Sequence, residues 1–79
     1  MKPIGRVLHI SSSRNIVVKS VIKIISDPKG EKVYDKKGRH IGEIIDVIGP
    51  LRKPYILIKP IISLEEAEKL VGKRLYIRE

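Results

Sequence analysis

The sequence predicts an all-β domain: a small, closed or nearly closed barrel of roughly five to seven short strands with one brief helix. Three observations carry this. Apolar runs rich in Ile and Val recur along the chain, separated by turn-forming clusters such as "SSSRN", "SDPKGE" and "DKKGR". Only "SLEEAEKLVG" (63–72) has convincing helical spacing. A chain this rich in β-branched residues also needs closure, because open sheet edges would template pairing with other chains.

Each element follows from its own pattern. "IGRVLHI" (4–10) reads as the first strand, and "NIVVKSVIKII" (15–25) as a second that runs on into a further short piece. "SDPKGE" is a loop punctuated by Pro28 and Gly30, and "KVYD" is a short strand. "DKKGR" is a hairpin turn with Gly38 at the position that needs positive φ. In the next strand, "HIGEIIDVIG" (40–49), Glu43 and Asp46 have opposite parity, so a regular strand would turn one carboxylate inward. Either a bulge falls near Ile44–Ile45 or both faces are partly covered. Gly42 interrupts the same strand, which marks a bulge or a close approach of another backbone. "YILIK" (55–59) alternates cleanly, with Ile56 and Ile58 on one face and Tyr55, Leu57 and Lys59 on the other.

Ser63 and Glu66 have capping-box spacing and open about two turns of helix with an apolar stripe at Leu64, Ala67, Leu70 and Val71. Gly72 is placed to end it, and "KRLYIR" (73–78) is the last strand.

With 79 residues the chain is expected to form one domain, 1–79. A domain of that length buries roughly 60% of its unfolded surface. There is no cysteine to form a disulfide or a thiolate metal site. "MKPIGRVLHISSSRN" has no secretory apolar core, and no apolar run approaches the ~20 residues of a membrane span. A soluble, cytoplasmic protein is expected.

The formal charge is +8 and is unevenly spread: residues 1–62 carry 13 Lys/Arg against 5 Asp/Glu, while residues 63–79 carry 4 of each. Such a field speeds encounter with nucleic acid or acidic proteins. A thermophile's Lys-, Ile- and Glu-rich surface accounts for it equally well.

Catalytic constellations are missing. His9 and His40 are isolated, Ser11–Ser13 lie in a turn without a nucleophile elbow, and the glycines build no phosphate-cradling loop. Glu65, Glu66 and Glu68 read as the solvated face and first turn of the short helix. No catalytic activity, metal, cofactor or small-molecule ligand is expected. Base stacking is poorly served too: there is no Phe or Trp, and Tyr34, Tyr55 and Tyr76 are scattered. Contact with RNA would run through lysine and arginine to phosphates.

"GPLRKPY" (49–55) has two readings. It is a stiff loop whose prolines restrict the unfolded chain, typically by ~0.4–1 kcal/mol, or it is a docking corner. If Ile56 and Ile58 face the core, then Tyr55 and Leu57 face outward. With Pro50, Leu51 and Pro54 they form an exposed apolar patch rimmed by Arg52, Lys53 and Lys59, which are also the candidates for phosphate contact. The competing placement puts Tyr55 inside the barrel.

"VYDKKGRHIGEIIDVIGPLRKPYILIKP" (33–60) resembles the core of the Gar-type (glycine–arginine-rich) subunit of H/ACA ribonucleoprotein particles. The match begins at "GRVLHI" and continues through "NIVVKS", V-Y-D…G-R-x-I-G and G-P-x-x-x-P-Y-x-x-I-K. The resemblance implies a six-stranded barrel like one in translation elongation factors and reductases, and a non-catalytic role in RNA-guided pseudouridylation of rRNA during ribosome biogenesis. The main partner would be the pseudouridine synthase subunit, bound away from the guide RNA. The subunit would influence the loop that grips substrate rRNA, aiding loading and turnover. Carried over by position, Gly49, Pro50, Pro54 and Tyr55 would face the synthase, with Ile41 and Gly42 in support. Ile48 stands where the family often has a larger residue. Without glycine–arginine flanks the chain looks like an archaeal member, a monomer when isolated. "YDKKGRHIGEIIDV" also resembles the PRC-barrel pattern of ribosome-maturation adaptors, which bind a ribosomal protein or rRNA. That pattern does not require G-P-x-x-x-P-Y.

Overall fold

Alternate Ile and Val side chains turn inward and find one another across six strands. A computed structural model describes residues 1–22, 27–50 and 52–78. Its strands are β1 (Lys2–Ile10), β2 (Ile16–Ser20), β3 (Lys32–Tyr34), β4 (His40–Ile48), β5 (Tyr55–Pro60) and β6 (Arg74–Ile77), with one helix, α1 (Leu64–Glu68), between the last two. They close into an antiparallel barrel in the order β1-β2-β5-β4-β3-β6. The all-β, closed six-stranded barrel with a short helix is the fold class expected.

The core is Ile4 and Val7 from β1, Ile16 and Val18 from β2, Val33, Ile41 and Ile44, Ile56 and Ile58, and Leu75. Each such side chain stabilises the fold by about 1.5–3 kcal/mol on burial. Ala67 of α1 joins this cluster, and Ile62 and Leu70 pack against it.

The parity conflict in β4 is resolved by a bulge. Ile44 pairs with Ile58 and Asp46 with Leu57, so Ile45 is the extra residue, and both Glu43 and Asp46 stay exposed. The "DKKGR" turn forms as read: Gly38 has φ +84°, and the Asp35 carboxylate accepts from the amides of Lys37 and Arg39, each at 2.9 Å.

Two elements are shorter than their patterns predicted. β2 ends at Ser20, whose hydroxyl accepts from the Ile22 amide at 3.0 Å and donates to the Ile22 carbonyl at 2.8 Å, turning the chain. Residues 23–25, the rest of the predicted run, lie outside the described residues. The helix is five residues long rather than two turns. Ser63 caps it by accepting from the Glu66 amide at 3.2 Å. The Glu66 carboxylate completes no full capping box: it pairs with Arg39 and takes a hydrogen bond from the Ser63 hydroxyl. Leu64 and Val71 of the expected stripe stay exposed. Gly72 lies past the cap residue Lys69, and its amide donates to the Val7 carbonyl at 2.8 Å.

Candidate docking surface

The corner between β4 and β5 starts at Gly49, whose φ of +91° is a conformation that residues with a Cβ rarely adopt. Pro50 follows, exposed, and Arg52 and Lys53 are exposed at the tip; Leu51 lies outside the described residues. Pro54 corrects an expectation. It is fully buried rather than part of a surface patch, and its carbonyl accepts from the Ser20 amide at 3.0 Å. The chain must turn inward there so that the very next inward residue, Ile56, reaches the core. Alternation therefore begins one residue earlier than the strand pattern shows.

From Pro54 onward the faces are settled. Ile56 and Ile58 have no exposure, while Tyr55 and Leu57 are half-buried on the outer wall and Lys59 is exposed. The reading that put Tyr55 inside the barrel is excluded by this parity. Across the sheet Tyr55 lies between Lys19 and Ile48, and Leu57 between Val17 and Asp46. An apolar field thus runs over the outside of β2, β5 and β4: Val17, Leu57 and Tyr55, then Ile48 at 45% exposure and the bulged Ile45 at 39%. Val17 is only 7% exposed although it points outward, so the centre of this field is already largely dry. Lys19, Lys59, Arg52 and Lys53 border it, with Glu43 and Asp46 on its β4 side.

Two residues placed in support of this surface are interior instead. Ile41 is 1% exposed in the core, and Gly42 is buried against β5. They set the wall behind the surface and are out of a partner's reach. Val17, Ile45 and Ile48 were not singled out as contacts from the sequence. Ile45 follows the inward Ile44, Ile48 faces out because the bulge reverses the alternation after Ile45, and Val17 follows from its register opposite Leu57.

No family model matches the chain. Over 79 residues it is 37% identical to an uncharacterized protein of Methanothermobacter thermautotrophicus (strain Delta H), covering 98% of this chain and 83% of that one. The chain belongs to the family of that protein. The alignment spans the corner, barrel and helix together.

In this family member the titratable groups are dispersed. Among the described residues no three His, Cys, Asp or Glu side chains gather to hold a metal. His9 is exposed, and the His40 imidazole donates from Nε2 to the Gly42 carbonyl at 3.0 Å, its ring 5.6 Å from that of Tyr34. Among the described residues no helix is long and apolar enough to cross a membrane. An apolar field with a largely cationic rim is suited to holding another protein's surface.

Proposed function

We propose that this protein is a non-catalytic subunit of an H/ACA ribonucleoprotein, and that the outer wall of β2, β5 and β4 binds the pseudouridine synthase subunit. One observation carries the reading. The G-P-x-x-x-P-Y corner ends in a half-buried tyrosine that continues an outward apolar field, instead of filling the barrel. A rigid aromatic beside apolar neighbours and cations is the kind of residue that dominates protein–protein affinity. Gly49 and Pro50 shape the rim beside Tyr55, and Pro54 anchors the corner from within. The protein contributes no chemistry of its own. It acts by positioning the synthase, which promotes loading and turnover of substrate rRNA, and is monomeric when isolated.

Co-purification with the synthase subunit in the absence of RNA tests this. The expected result is one complex with the native barrel and loss of co-elution with Tyr55→Ala, whose melting stays close to native. In a reconstituted particle the same variant lowers pseudouridine formation without altering the synthase's own chemistry. Tight co-elution of a normally melting Tyr55→Ala overturns the assignment of the surface. Capture of a ribosomal protein in place of the synthase points to the ribosome-maturation reading.

A further inference from the structure

The charge left over by the docking surface is gathered on the other half of the barrel. A broad groove of about 1080 Å³ runs between the β3–β4 turn, α1 and the wall of β1 and β6. Arg6 and Arg74, opposite each other in the β1–β6 register, line the wall; Lys36 and Lys37 come from the turn, and Lys69 and Lys73 from the segment after α1. With Arg39 the lining holds seven cations against two carboxylates, Asp35 and Glu66, a net of +5.

The two carboxylates are already engaged and are too few to cancel the excess. Asp35 is occupied by the turn amides, and Glu66 by Arg39. Arg6 is held in the wall by donating from Nη1 to the Gly72 carbonyl at 3.0 Å. Lys36, Lys37, Lys69, Lys73 and Arg74 are exposed. The β1–β6 wall, the Asp35 turn and the segment after α1 thus present cations along one trough. Leu70 and the half-buried Tyr76 are the only apolar or aromatic side chains among its described lining residues; the rest, Gly72 apart, are charged. A protein partner would need several such anchors; an extended chain of phosphates needs cations spaced along a track and at most an occasional ring.

We infer that this groove binds the phosphate backbone of RNA without reading sequence. The site is distinct from Arg52, Lys53 and Lys59, which lie on the β4–β5 side. With three to five phosphates neutralised, log affinity for a single strand falls against log salt with a slope of about −2 to −3.5. At ~0.1 M salt each lost contact is then worth roughly fivefold.

The test uses the full chain and a fluorescently labelled oligouridylate of roughly 12 nucleotides, followed by anisotropy over a salt series. Two double variants remove the same charge: K36E/K73E in the groove and R52E/K53E at the corner. The groove variant is expected to weaken binding about tenfold or more, and the corner variant by no more than about threefold. Amide chemical shifts in the native protein should move at 36–39 and 69–74 on titration, which keeps the test decisive if a variant melts early. Equal losses from both variants, shifts confined to 52–59, or absence of binding overturns the site. Polyglutamate binding as tightly as the oligouridylate would assign the groove to an acidic protein instead. No synthase is present in this assay, so its failure and that of the docking reading are separable.

Discussion

Gly42 has no room for a side chain. A Cβ there would collide with the Lys59 carbonyl oxygen and lie 2.9 Å from Ile58 Cγ2. Both meanings its place in the strand allowed are realised: β5 approaches closely, and on the β3 side Gly42 pairs with Val33 and His40 with Tyr34, leaving Ile41 extra beside it; the bulge at Ile45 is a second one, toward β5. Gly42→Val must push β5 aside, at a cost of about 3 kcal/mol. Gly30, with φ +90° and nothing within 4 Å of an added Cβ, loses only its backbone freedom on Gly30→Ala, at about 1 kcal/mol. The first variant should lower Tm by well over about 10 °C and the second by about 4–8 °C. Equal small losses in thermal melting would contradict the contact. Tyr55 is a different case: "YILIK" alternates without interruption, so its outward face follows as soon as Ile56 and Ile58 are seen to point inward. Tyr55→Ala should cost about 1 kcal/mol or less in stability, because the ring is half-exposed. On the proposed docking reading it costs about 2 kcal/mol or more in affinity for the synthase, roughly thirtyfold. Ile56→Ala, one residue on and fully buried, should instead cost about 2–5 kcal/mol of folding by urea titration.

Strands whose two faces see different solvents declare themselves in sequence, and this explains which elements were legible. β5 alternates, and in β4 the opposite parity of Glu43 and Asp46 allowed either a bulge or two partly covered faces, of which Ile45 supplies the bulge. α1 was overextended because a stripe of Leu64, Ala67, Leu70 and Val71 records spacing but not what lies opposite; only Ala67 meets the core fully. Its capping residue was legible, whereas the diversion of Glu66 to Arg39 depends on a turn 27 residues or more away in the chain, which no local pattern encodes. That pair has a pH signature. The hydrogen bond from Arg39 and its charge hold the Glu66 carboxyl below the usual glutamate range. A depressed folded-state pKa means the contribution is complete above the unfolded value, ~4.3, and is lost as pH falls through the lower folded value. Both side chains are exposed, so salt screens them. The Tm gap between the native protein and Glu66→Gln should therefore be small at neutral pH, narrow in high salt and vanish in strong acid. A gap that widens on acidification would show that the carboxylate is held by something else.

Closure is what one sequence hides best. β3 is three residues long and meets β6 through a single register pair, Tyr34 with Tyr76. Nothing in "KVYD" or "KRLYIR" names the other, so the cations of "DKKGR" read as part of a hairpin turn and those of "KR" as the start of the last strand, with nothing to join them. The barrel order brings them into one groove and puts β2, β5 and β4 on the opposite half. The two proposed ligand surfaces, on opposite halves of one barrel, should act independently, because substitutions more than ~7–10 Å apart with no shared partner add within about 0.5 kcal/mol. Tyr55→Ala combined with K36E/K73E is then expected to lose synthase binding by the amount Tyr55→Ala loses alone. It should lose oligouridylate binding by the amount K36E/K73E loses alone. Measured in one buffer by anisotropy and by titration calorimetry, a coupling above ~1 kcal/mol would mean a shared surface. In that event the groove and the Tyr55 face would belong to one continuous site, with the barrel wall between β1 and β2 as the bridge.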